Sequence, residues 1–475
     1  MNFSWQVFVD LGIVSLALLL ATFIRSRVRF FQKYLIPNSL TAGFMLLAFY
    51  NFAAPRLGLG AEGLKSLVYH LLSLSFVAMS LRKSSSRASG KNIFSNSLAV
   101  VTQFTLQGLT GIALTFFFII TFLPDLFPSI GFFIPLGFGL GPGQAFAMGK
   151  GWESFGFDGA GDVGLTFAAM GFIWACFGGV FLINLGIRRG WMDRRYAELF
   201  RSKGVRTGIY GRKEDKPVGA RLTTESEAID SMSYNLAVVF GVYLLAYLFL
   251  QLITFLLAFL GPLGTDLAVN LWGISFVFAA VLALLVKKLF GGFKVLHTLD
   301  NGSLTRIAGA SVDIMVAAAV GAISLVVVSR YWLPILIMGL SGGLVATVSV
   351  LWMVPRLFRD HQFHRAVMIY GAVTGTISTG LALLRVIDRE FETPAASDYM
   401  YSTGITFVLS IPFILTLNLP AYAFRSGNPL LYWVTLGVFA VYLVLVLVAY
   451  QLISKERAFV HPRRLWVKLG LDLEE

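Results

Sequence analysis

Gly139, Gly141 and Gly143 alternate around Pro142 inside an apolar stretch, and Gln144 follows directly. Without a Cβ, glycine lets the backbone leave helical geometry and come close to a ligand. Proline removes a donor and stops a helix from propagating into it. A helix broken here frees carbonyl oxygens, which suit Na+, and N–H groups at the next helix start, which suit a carboxylate. Gln144 adds an amide donor and acceptor at the same place. The plainer alternative is a glycine kink that only allows close helix packing. A second break runs from Tyr370 to Glu392, where Gly371, Gly375 and Gly380 interleave with Thr374, Thr376, Ser378 and Thr379. Hydroxyl oxygens suit hard cations and can also hold a carboxylate. Alternatively, helical Ser and Thr bond back to their own carbonyls.

Charged and amide side chains inside apolar segments are candidates by default. Asp313 is read either as a cation ligand or as an interfacial residue near Arg306. Asp162 is read either as a cation ligand or as a carboxylate stabilised at a helix start. Arg385, nearest the apolar part of the second break, is a candidate partner for an anionic substrate. Gln107 and Asn418 are read as site lining or as interhelical glue. The substrate set is therefore Gly139, Gly141, Gly143, Gln144, Thr376, Ser378, Thr379 and Arg385. The cation set is Thr374, Gly375, Asp313, Asp162, Gln107 and Asn418.

The elements that must position these residues follow from composition. The chain has 475 residues, 57% hydrophobic and 13% charged, with a mean hydropathy of +0.76. Soluble domains are roughly 25% charged, so this chain belongs in a bilayer as an all-α integral membrane protein. The single cysteine, Cys176, excludes a disulfide framework, and the five histidines show no metal-ligand spacing. No cofactor is expected. The net charge of +13 resides in short loops between apolar runs, which points to membrane topology rather than nucleic acid. The N-terminus lacks a basic leader region, carries Asp10, and reads as a first span.

A span needs about 20 apolar residues. Eleven are expected, near 6–24, 35–53, 66–82, 94–123, 163–187, 233–259, 267–287, 307–329, 332–355, 400–424 and 430–453. Basic loops such as "RSRVRFFQK", "RKSSSRASGK" and "KKLFGGFK" alternate with nearly uncharged ones. The alternation requires that neither interrupted segment crosses fully. It puts the N-terminus outside and the C-terminus in the cytoplasm, with two re-entrant hairpins, 130–161 from outside and 365–398 from inside. Residues 188–231 read as a polar cytoplasmic linker. It divides the chain into a first repeat, 1–187, and a second, 232–424, each with four spans, a hairpin and a fifth span. An odd span count inverts the second repeat, as in secondary transporters. Residues 425–475 add one further span and a basic tail.

"KYLIPNSLTAGF" (Lys33 to Phe44), "GLGPGQAF" and "FGFDGAGDVGLTFAAMGF" resemble conserved stretches of the bacterial sodium/glutamate symporter family. Gln107 and Asn418 also fall on polar positions of that family. The similarity covers the order of elements over most of the chain and is densest around 33–44 and 137–187. It implies two inverted five-span repeats with opposed re-entrant loops, Na+ coupling, an acidic amino-acid or related carboxylate substrate, and a homodimer in the bacterial inner membrane. Leu140 stands where the family has a hairpin histidine, and "GAVTGTISTG" lacks the family's fuller glycine pattern. H+ coupling or another carboxylate on the same fold is the alternative. A rival of another class is an intramembrane aspartyl protease, suggested by "GAGD" at Gly159 to Asp162. Such a site needs a second aspartate in the preceding span, and 94–123 has none.

Overall fold

The computed structural model describes residues 5–34, 36–83, 90–191, 207–212, 216, 218–259, 268, 271–272, 275–388 and 393–467. Among these, all regular structure is helical. Among the described residues ten helices are long and apolar enough to cross a membrane, as a chain of this hydropathy demands in a solvent without hydrogen-bonding partners. The protein is a multi-pass membrane protein.

The first half contains α1 (Gln6–Arg27), the short α2 (Arg29–Lys33), α3 (Asn38–Ala48), α4 (Glu62–Leu81) and α5 (Gly90–Thr121). A broken element follows, ending in α6 (Pro142–Glu153). Then come α7 (Ala160–Ile173) and α8 (Gly179–Arg188), joined by a π-helical turn at Trp174–Gly178. The second half contains α9 (Ser231–Ala258), α10 (Ser275–Gly292), α11 (Asn301–Gly321), the short α12 (Leu325–Arg330) and α13 (Trp332–Leu357). Next are α14 (Gln362–Thr374), α15 (Ile377–Ile387), α16 (Ala395–Thr416) and α17 (Leu419–Ser426). The last helix is α18 (Leu430–Ser454), where the further span was expected.

The expected second span, 35–53, is not one α-helix. After α3 the chain passes through a π-helical turn, Phe49–Ala53, and a 3-10 turn, Ala54–Leu57. Pro55 lacks the N–H that Asn51's carbonyl would need four residues on. The Asn51 side chain instead donates to the carbonyls of Leu47 and Ile323 and accepts from Leu325 N–H. This composite still runs from the end of α1, where Asn38 donates to Thr22, to the end of α11. The expected span 307–329 also differs: α11 stops at Gly321, because Ser324 N–H is drawn out to Asp162. Residues 192–206, 213–215 and 217 of the linker 188–231 lie outside the described residues. Its last part returns to the bundle, with Arg221 N–H on Asp300 and the Thr223 and Thr224 N–H groups on Ser231. Asp230 and Asp300 cap α9 and α11 by accepting from the first-turn N–H groups, the usual role of aspartate there.

Packing links the two halves throughout. Helix α4 lies along α11, α3 along α11, and α10 along α4. Pairs α1–α3 and α9–α10 form within each half. Helix α5 packs on α13 and α16, and α13 packs on α7. A separate apolar cluster of Leu74, Val77, Val239, Val242, Ala279 and Leu304 ties α4, α9, α10 and α11 into one group. At one end of the bundle, Lys83 and Asn301 exchange two hydrogen bonds. There too Asn92 donates to Asp360, and Arg356 donates to Val460, His461 and Arg464 carbonyls.

Candidate functional site

The first break begins as a π-helical segment, Pro135–Leu140, and stops at Gly141 with φ +99° and ψ 175°. Few residues other than glycine adopt that φ. Pro142 then starts α6, the position where its missing N–H costs nothing. Small residues allow the surrounding helices in: a Cβ at Gly137 would meet the α7 backbone at Ala168, and one at Gly143 would meet Leu72. Around the break Phe133 packs on Trp152, and Phe127 stacks on Phe157. The residues before and after it therefore stand side by side.

The second break is built differently. Helix α14 ends at Thr374, Gly375 follows, and Thr376 is extended, with φ −145° and ψ 170°. Thr376 Oγ1 accepts from Thr379 N–H at 3.4 Å and lies 3.2 Å from Thr379 Oγ1. This is an N-cap for α15. The chain turns back here, for a Cβ at Gly371 would stand 2.7 Å from the Cα of Gly380.

The two breaks meet. A Cβ on Gly141 would stand 3.6 Å from Thr376 Cγ2 and 3.6 Å from Gln144 Oε1. Gln107, fully buried on α5, donates to the Val373 carbonyl at 3.1 Å. Its Oε1 lies 3.6 Å from where a Gly139 Cβ would be. Both Gln107 Oε1 and Gln144 Oε1 are buried without a hydrogen-bond partner, a condition that in native proteins calls for an explanation. The junction thus offers two acceptor oxygens and the N-termini of α6 and α15. Oxygens of this kind coordinate a cation or accept from an ammonium group, and helix starts attract a carboxylate.

Other expected residues lie elsewhere or are engaged. Thr374 is buried and donates to the Tyr370 carbonyl, the back-bonding alternative. Ser378 lies in the first turn of α15. Arg385 is exposed in the last turn of α15, away from the junction. Asn418 Oδ1 accepts from Trp152 Nε1 at 2.8 Å and joins α6 to the α16–α17 corner. Asp162 is buried in the first turn of α7, where Oδ1 accepts from Ser324 N–H at 3.1 Å and Oδ2 pairs with Lys65 at 3.3 Å. Its oxygens are thus held by an amine and a backbone donor, and Glu153 stands nearby, accepting from the Gly161 N–H. Asp313 is exposed on α11 beside Ser39. Gly143 packs against Leu72, so close packing accounts for it.

Sequence reasoning missed several partners. Gln103 accepts from Ser349 of α13, and its Nε2 is buried without a partner. The wholly buried Arg365 pairs with Asp398 at 2.9 Å and Asp360 at 2.7 Å, over the Phe358 ring. The sequence signal was a basic residue among loop charges, which resembles a solvated one. The Tyr370 hydroxyl donates to the Trp174 carbonyl, one that the π-helical turn displaces from regular α-helical pairing. Among the described residues no group of three or more His, Cys, Asp or Glu is placed to hold a metal ion. The chain matches no protein-family model, no curated protein and no solved structure.

Proposed function

We propose that this chain is a secondary active transporter that moves a small carboxylate, glutamate or a related anionic amino acid, together with Na+, by alternating access. The observation that carries the reading is the apposition of two helix breaks at Gly141 and Thr376, each at the start of a helix of 11 or 12 residues. Broken helices meeting inside a bundle are how membrane transporters present polar backbone to a solute. The pairing of helices supports an inverted repeat. Exchanging α1 with α9, α3 with α10, α4 with α11 and α5 with α13 turns each observed contact into another: α1–α3 into α9–α10, and α3–α11 into α10–α4. The pairs α4–α11 and α5–α13 map onto themselves. Re-entrant entry from opposite sides, an outside N-terminus, a cytoplasmic C-terminus and a homodimer in the bacterial inner membrane belong to the same proposal, as does the resemblance to sodium/glutamate symporters.

Uptake into proteoliposomes tests it, using labelled amino acids and dicarboxylates with and without a Na+ gradient. Na+-driven accumulation of a carboxylate is the expected result. Accumulation driven by a pH gradient alone would assign the proton instead, and no uptake of any carboxylate would sink the reading. For topology, Ser154→Cys and Ser397→Cys, both exposed, should label from opposite faces, with the buried Cys176 silent. Labelling from one face would refute opposed breaks.

A further inference from the structure

The geometry points to a binding site for an anionic phospholipid on the outer face of α7, α8 and α13. An open cavity of about 400 Å³ there is lined by Ile173, Trp174, Phe177, Gly178, Phe181 and Leu340. That volume is in the range that small apolar ligands fill. Phe177, Phe181 and Leu340 are exposed, and the lining is apolar apart from the Trp174 indole N–H. Such a wall suits an acyl chain.

The rim supplies the charge. Helix α2 lies against the cavity wall: the ring centroids of Phe30 and Tyr34 are 6.3 Å and 5.1 Å from that of Phe177. These two residues are four apart and share one helical face. Arg29 and Lys33, also four apart, form a neighbouring face and are exposed, as is Arg27 just before the helix. The sequence holds no carboxylate between Asp10 and Glu62, so the segment itself does not neutralise these cations. Basic groups beside an aromatic-anchored helix are what an anionic headgroup meets at a membrane surface. The site therefore takes one chain in the cavity and the phosphate on Arg29 and Lys33.

Native mass spectrometry of the full chain released from nanodiscs of mixed phosphatidylcholine and phosphatidylglycerol tests this. The wild type should retain phosphatidylglycerol in preference. Each cation near such a surface is worth about a factor of five, so Arg29→Gln with Lys33→Gln should reduce the preference by up to about thirtyfold. Leu340→Trp, which fills the cavity, should reduce retention of both lipids. Both variants alter exposed side chains and leave the core intact. Equal retention of the two lipids by the wild type, or unchanged retention in both variants, would overturn the site. A disulfide between two copies of Leu340→Cys in membranes would overturn it too, by assigning the face to protein contact.

Discussion

The two breaks reach one junction by unlike means. At Gly141 the backbone itself is in a conformation that a side chain disfavours, and Pro142 fixes the start of the next helix. At Thr376 the backbone is ordinary extended chain, and a side-chain cap starts the helix. The first break is thus set by what its residue lacks, and the second by what its residue donates and accepts. The first should tolerate almost no substitution, whereas the second should tolerate any residue that keeps a capping oxygen.

Gly141→Val breaks that comparison most sharply. A β-branched residue at φ +99° is a steric outlier, and forced conformations cost about 1–3 kcal/mol. Uptake in proteoliposomes should fall by about five- to a hundredfold, with lower thermal stability in detergent. Gly375→Val should cost less, since there the obstacle is contact: a Cβ would sit 3.0 Å from Thr379 Oγ1 and 3.2 Å from Phe172. Equal losses at the two glycines would erase the distinction.

Gln107→Leu comes next. It removes the donor to the Val373 carbonyl at the end of α14, and an unsatisfied buried acceptor costs about 1–3 kcal/mol. Hydrogen exchange in α14 should rise, and unchanged exchange would show that the bond does not hold the second break. Thr376→Val removes the cap, for about 1 kcal/mol, whereas Thr376→Ser should behave as wild type. If the serine variant fails as badly as the valine one, the cap is not what starts α15.

The smallest effect lies far from the junction. Burial disfavours a charged Asp300, but N–H bonds from Ser303, Arg221 and Gly302 and the Ser303 hydroxyl hold its pKa below the usual carboxylate value. A lowered native pKa means that its stabilisation is complete above about pH 4, the unfolded value. It is lost as pH falls through the native value. Amide protection at Arg221 should therefore decline only in acid, and Asp300→Asn should remove most of that pH dependence.

The all-helical membrane class was legible in the sequence, because a lipid solvent leaves apolar runs only one role. The ten helices long enough to span among the described residues sit close to apolar segments read directly from the chain. The breaks were legible for a local reason, since glycine and proline act on their own backbone. Partners were not. Nothing near Gly143 names Leu72, nothing near Gln107 names Val373, and Asn418 finds Trp152 266 residues away. Thr374 and Asp162 carried the right chemistry for a ligand site, yet their oxygens are occupied by a carbonyl four residues back and by Ser324 and Lys65. Periodicity also missed the composite end of α3, because the effect of Pro55 and the long-range grip of Asn51 do not alter hydropathy.

Asp162 has a mechanical meaning beyond its electrostatics. Through one carboxylate, α7 is fastened both to Lys65 on α4 and to the backbone just past α11. Helices α4 and α11 belong to the group held by its own apolar cluster, while α7 flanks the junction of the breaks. The main apolar cluster also joins α4 and α11 to α7, so under the alternating-access proposal a sliding of one group past the other would have to break this fastening or turn about it, and Asp162 would be its rivet. Asp162→Asn, which keeps the backbone grip and drops the ionic one, loosens the rivet without removing it.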